Sequence, residues 1–187
     1  WRDWSSDVCS SDLSWAAVAF LARHPRYAEA FARLERGPLD VTFTQRLESL
    51  PGFAIDRATR DFDAFTDDLD YGYDFTRSAI DWDAGGLFDD GTEVRVTAGR
   101  GWQNTGVALA KAERCALRAR GRCGLGRLGD VVIETEPDGI SLDWYRGRPL
   151  GRLLAAQWVD RPAGGGRPRF VVIGAGGHAL LEAVTDG

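Results

Sequence analysis

Asp130-Val131-Val132-Ile133-Glu134-Thr135-Glu136-Pro137-Asp138-Gly139-Ile140-Ser141-Leu142-Asp143-Trp144-Tyr145 is the stretch on which the fold class turns. Two runs rich in β-branched and aromatic residues flank Pro137-Asp138-Gly139, a tripeptide suited to a tight turn. In the second run Ile140, Leu142 and Trp144 alternate with Ser141, Asp143 and Tyr145. That period of two predicts a strand with one face buried. Further along, Gly147-Arg148-Pro149 marks a turn, Leu150–Val159 a strand, and Arg169–Ile173 and Ala179–Val184 two more around a Gly174–Gly177 turn. Short turns between strands imply antiparallel pairing, because a parallel partner needs a long crossover. The expectation is an antiparallel meander of five or six strands.

Upstream, Glu93–Ala98 alternates like a further strand. Asn104–Arg120 reads as an amphipathic helix, with Ala108, Leu109, Ala112, Cys115, Ala116 and Ala119 as its apolar face. Lys111, Arg114 and Arg118 form a flanking basic stripe, and Gly121 stops it. Phe53–Glu93 holds twelve acidic residues and three Arg, a local charge of −9. Phe62, Phe65, Tyr71, Tyr73, Phe75, Trp82 and Phe88 interleave with the acids. A disordered acidic tail lacks aromatics, so this stretch reads as folded loops over a core. Ser14–Arg36 is helical, broken at His24-Pro25, where His24 suits a cap and Pro25 a first helical position. The first part would bury Trp15, Val18, Leu21 and Ala22, the second Tyr27, Phe31 and Leu34. A short third helix from Asp40 or Thr42 would run to Leu50. Helices before the sheet and one within it place the chain in the α+β class.

Arg2-Asp3-Trp4-Ser5-Ser6-Asp7-Val8-Cys9-Ser10-Ser11-Asp12-Leu13 has no apolar period. It resembles the in-frame translation of a common short-read sequencing adapter, residue for residue. Residues 1–13 are therefore expected to be a disordered tail, residues 14–187 a single α+β domain, and the native start to lie outside the sequence. Setting the tail aside lowers the formal charge from −5 to −3, since Arg2 stands against Asp3, Asp7 and Asp12. A mild negative charge argues against general nucleic-acid affinity. Lys111 is the only lysine among 23 basic residues and Met is absent, as a GC-rich bacterial genome would dictate. No apolar run is long enough for a membrane span. Cys115 and Cys123 fit a reduced cytoplasmic protein as well as one disulfide, with a lost signal peptide as the alternative.

Four motifs suggest chemistry, each with a plainer explanation. Val171-Val172-Ile173-Gly174-Ala175-Gly176-Gly177-His178-Ala179 resembles the phosphate-binding turn of dinucleotide-binding domains and the opening of the nucleotide-binding half of sugar O-acyltransferases. That site needs a helix after the glycines and a further βαβ unit, so a glycine hairpin is the stronger expectation. Asp81–Glu93 approaches a calcium loop, but position 5 is Gly85 and Glu93 falls one place late. Cys115 or Cys123 with His178 would make a nucleophile and base, whereas Cys115 on an apolar face is an ordinary buried side chain. The basic residues from Lys111 to Arg127 would suit phosphates, or would be neutralised by the −9 stretch.

Ala19–Phe31 is similar to the W-x-FL-x-R-N-P-x-Y opening of a proteobacterial family of transcriptional-regulator-like proteins, with His24 where that opening has Asn. The resemblance implies DNA-associated regulation and assigns no residue a role. With no complete catalytic constellation, the expectation is a non-enzymatic protein that binds another macromolecule, of the immunity or regulatory type. Asp70, Tyr71, Tyr73, Asp74 and Trp82 are the expected contacts to a basic protein partner, because aromatic residues beside acids make good interface anchors. No cofactor, metal or catalytic residue is expected, nor nucleic acid or membrane as a partner. A DNA-associated regulator and an enzyme without a recognisable motif are the alternatives.

Overall fold

A computed structural model describes residues 10–34, 37, 42–69, 74–89, 91–160 and 166–184. The chain divides into two compact units, Trp1–Ile80 and Asp81–Gly187. The class is α+β, with five short helices preceding eight antiparallel strands among the described residues.

In the first unit, helix α1 spans Ser10–Arg23 and α2 spans Ala28–Leu34. Pro25 cannot donate to a helical ladder, and the chain turns there: the His24 carbonyl accepts from the N–H groups of Tyr27 and Ala28. The Nδ1 of buried His24 accepts from Arg26 N–H at 3.3 Å, so its expected capping role has a hydrogen bond behind it. Helix α3, Phe43–Glu48, begins after Thr42. The acidic stretch expected as loops contains instead α4, Ile55–Asp67, and α5, Phe75–Ser78. Ala58, Asp61, Ala64 and Phe65 all lie on the buried face of α4, the spacing of one helical stripe. Asp61 apart, its charged residues lie off that stripe. The core joins Phe20, Tyr27, Ala58, Phe65 and Phe75, with Phe65 and Phe75 stacked at 4.8 Å and Phe20 against Phe65 at 5.5 Å. Phe31 and Leu34 are buried as expected, but Trp15, Val18 and Ala22 face solvent, and among the described side chains of α1 the buried one is Phe20. A helix crossing over a small aromatic core buries a narrow stripe, and one large ring fills it.

In the second unit no helix forms at Asn104–Arg120. Gly106 and Ala112 both have positive φ, +70° and +59°, which ends any helix there. The segment's last part is strand β1, Arg114–Arg118, paired antiparallel with β8, His178–Glu182. Arg114, Ala116 and Arg118 are exposed while Cys115 and Leu117 turn inward, so a period of two was present beneath the helical one. Backbone pairing with β8 decided between them. Strand β2 (Cys123–Leu128) pairs with β3 (Val131–Thr135), β4 (Ile140–Tyr145) with β5 (Arg148–Leu150), and β6 (Leu154–Val159) with β7 (Arg169–Ala175). The result is four two-stranded ribbons in place of one meander, with the first and last strands together. Leu150–Val159 is split at Gly151, φ +74°. Glu93–Ala98 is exposed and outside any strand. Arg146 and Gly147, with φ of +49° and +72°, form the primed turn that joins β4 to β5. Leu142 and Trp144, expected on a buried face, are exposed.

Candidate functional site

Of the expected partner contacts, Asp70, Tyr71 and Tyr73 lie outside the described residues. Asp74 is the N-cap of α5, its carboxylate accepting from Arg77 N–H at 2.9 Å. Trp82, in the second unit, packs in a half-buried aromatic group with Trp158 at 5.5 Å and Phe170 at 6.5 Å, and Trp102 stacks on Phe170 at 4.8 Å. Asp74 and Trp82 thus belong to two separate local arrangements.

Helix α4 has Asp56 in its first turn, where the dipole favours an acid, but carries most of its acids toward its C-terminal end. Arg57 and Arg60 stand in its first half, Asp61, Asp63 and Asp67 in its second, Asp68 is the C-cap, and the last turn holds no basic residue. The C-terminus of a helix carries partial negative charge, so acids there cost free energy and cations are preferred. From Asp61 to Thr76 the sequence has six Asp and no Arg or Lys.

Asp61 is buried, and its carboxylate accepts from the Tyr27 hydroxyl and from Arg26 Nη1 at 2.6 Å. Arg26 Nη2 also donates to the Ile80 carbonyl at 3.3 Å, and His24 stacks on Tyr27 at 4.9 Å. Burial, reinforced by the hydrogen bond to Asp61, pushes the Tyr27 hydroxyl well above the ordinary tyrosine value. This is a structural clasp between the α1–α2 corner, α4 and the end of the unit. Nothing in the sequence separated Asp61 from its acidic neighbours except its place on the Ala58–Phe65 stripe.

The glycine and cysteine motifs take their plainer forms, whereas the basic segment is not neutralised by the −9 stretch as expected. Gly176, φ +88°, and Gly177 make a turn from β7 into β8, and no helix follows them. The Gly177 N–H that would hold a phosphate donates to Asp138 Oδ1 at 2.9 Å, so the chain's own carboxylate fills the anion position. In the calcium-like loop, Thr92 Oγ1 donates to Asp89 Oδ1 at 2.8 Å. Among the described residues no three acidic, His or Cys side chains converge as metal ligands. Cys115 and His178 fall on opposite faces of the β1–β8 ribbon, an odd number of register steps apart. Burial pushes the Cys115 thiol up, and Glu113 adds to this, the reverse of an activated nucleophile. The basic segment pairs within its own unit: Arg114 with Glu182 at 2.8 Å, Arg120 with Glu93 at 3.3 Å, and Arg122 with Glu134 and Glu136. Only Glu93 of these partners comes from the −9 stretch. Among the described residues, no helix is long and apolar enough to cross a membrane. Comparison of the chain with protein-family models, with curated proteins and with solved structures returned no match.

Proposed function

We propose that this is a non-enzymatic binding protein of the immunity or regulatory type, and that it captures a basic protein partner at the acidic end of α4. The observation that carries this reading is the density of Asp from Asp63 to Asp74 in a sequence stretch without Arg or Lys, with Asp67 and Asp68 at the end of α4, where the helix dipole disfavours negative charge. A dense group of acids at a helix C-terminus suits recognition of a cation, because an arriving Arg or Lys is favoured there by the helix dipole as well as by the acids. Asp70, Tyr71, Tyr73 and Asp74 follow in the sequence, and aromatic residues beside acids are good anchors for a partner. Charge on the protein's other side of the ledger gives the DNA-associated reading less support, since Arg114, Arg120 and Arg122 each already face a carboxylate.

The test uses deca-arginine as the probe, with deca-glutamate and a duplex DNA as controls, on the full chain by calorimetry. Deca-arginine is expected to bind with Kd in the micromolar range at low salt and to weaken steeply as salt screens the surface. Asp67→Asn with Asp68→Asn should weaken it at least about tenfold, one lost charge contact being worth about 1 kcal/mol or more. Equal affinity of the double variant, or tighter binding of the DNA, would sink the reading.

A further inference from the structure

Residues 81–187 contain fourteen acidic and fourteen basic residues, but the two signs are not evenly spread. From Trp144 to Leu181 the sequence has six Arg and a single Asp, and from Trp144 to Val159 three Arg and no acid. Those three belong to the β4–β5 ribbon and its exit. Arg146 is in the turn, Arg148 opens β5, and Arg152 follows it. Among the described residues neither Arg148 nor Arg152 has an ion-pair partner, unlike Arg114 and Arg122. The acid that adjoins the group in sequence, Asp143, accepts the Trp144 N–H at 2.8 Å. The same ribbon holds two rings in solvent, Trp144 at 60% and Tyr145 at 40% exposure. Successive side chains of a strand point to opposite faces, so each face carries one ring, Trp144 across from Pro149 and Tyr145 across from Arg148. The Arg146 guanidinium lies over the Tyr145 ring, 5.6 Å from its centroid, an arrangement that holds cation and ring together.

Cations without carboxylate partners suit an anion, and rings left in water beside them suit a flat apolar face. A nucleotide supplies both, its phosphate to arginine and its base to the ring. In a duplex the base faces are covered by their neighbours, so stacking of this kind is open to a single strand. An acidic peptide offers the charge without the π-faces. A lipid bilayer fits poorly, because Arg146, in the turn beyond both rings, would enter it ahead of them at a high cost. The chain's overall −5 does not prevent the approach of a polyanion. At about 0.1 M salt, exposed charges farther apart than roughly 10 Å are largely screened, so the cations of the ribbon govern what reaches it. We propose that the β4–β5 ribbon binds single-stranded nucleic acid, with bases stacking on Trp144 and Tyr145 and phosphates meeting Arg146, Arg148 and Arg152. This surface is separate from the acidic end of α4, and the inference stands without the function proposed there.

Fluorescence anisotropy of a labelled oligothymidylate with the full chain, over a series of salt concentrations, is the test. A duplex of the same length, deca-glutamate and vesicles containing phosphatidylserine are the competitors. The oligothymidylate is expected to bind most tightly of the four and to weaken steeply with salt. Trp144→Ala should weaken it at least about fivefold, as loss of one stacked base does, and Trp144→Phe should keep most of the affinity. Arg148→Gln should lower the slope of log affinity against log salt by about 0.7, the share of one phosphate contact on a single strand. Arg127→Gln, an exposed arginine on β2, should leave that slope unchanged. Should Trp144→Ala fail to fold, the slopes of the two arginine variants decide. No binding at low salt overturns the proposal, as does binding of the duplex, the acidic peptide or the vesicles at least as tight as that of the single strand. Full affinity in a folded Trp144→Ala, or equal slopes in Arg148→Gln and Arg127→Gln, overturns it too.

Discussion

Asp61 shows how much one side chain can carry. A buried carboxylate is tolerable only when paired and fully hydrogen-bonded, and here Arg26 and Tyr27 supply both conditions. Asp61→Ala would take the carboxylate from the partly buried Arg26 guanidinium and the acceptor from the buried Tyr27 hydroxyl. A loss of about 3–5 kcal/mol is expected, with Asp61→Asn costing less because one acceptor remains. Chemical denaturation of the two variants and wild type checks the order. Tyr27 adds a pH dependence whose sign is fixed. Its folded-state pKa is raised, first by burial and then by Asp61, so its contribution is complete below the ordinary tyrosine pKa of about 10 and is lost as pH rises toward the folded value. Tyr27→Phe should flatten the stability profile above about pH 10 while leaving the neutral-to-acid side with the same slope. A profile of unchanged steepness in alkali would mean that another group governs it. Asp61 was readable as a helical-stripe position; its partners were not, since Arg26 is 35 residues away.

Strand β1 is where local pattern and tertiary pairing disagreed. Arg114–Arg118 satisfies both a helical and an alternating period, and five residues cannot distinguish them. What tipped the balance is β8, 60 residues onward, whose N–H and C=O groups pair with those of β1 in a register that sets Arg114 opposite Glu182 and Arg118 opposite His178. That register makes the two arginines unequal. Arg114→Glu would place like charges directly across the ribbon and cost up to about 1 kcal/mol, whereas Arg118→Glu faces an imidazole and should be neutral or slightly stabilising. Melting curves of the two single variants decide, and equal effects would contradict the register. Helix α4 is the converse case. Its Ala58, Asp61, Ala64 and Phe65 stripe is present in the sequence, but an Asp within the stripe and the density of acids around it disguised a helix as loop. Polar content says little about secondary structure when the apolar positions keep their spacing.

For the whole chain, the two units divide the physics between them. The first has an aromatic core and, with fourteen acidic against nine basic residues, the entire net charge of −5; the second is neutral and thinly packed. Salt should therefore act mainly on the first unit. Raising salt from 10 to 500 mM screens repulsion over distances beyond roughly 4–30 Å, so the melting of α4, followed by a helix-sensitive signal, should shift upward. In Asp67→Asn with Asp68→Asn that shift should shrink, and an undiminished one would place the repulsion elsewhere. The sequence by itself determined the α+β class, the helix break at Pro25, the glycine turn at Gly176-Gly177 and the buried Phe31 and Leu34, because each follows from steric limits or spacing within a few residues. Only the tertiary structure decided that Arg114–Arg118 is a strand, that Asp61 is clasped by Arg26 and Tyr27, and that Leu142 and Trp144 remain in solvent. Those outcomes depend on which distant segment supplies a hydrogen bond, a counter-charge or a covering face, and a local pattern contains none of that information.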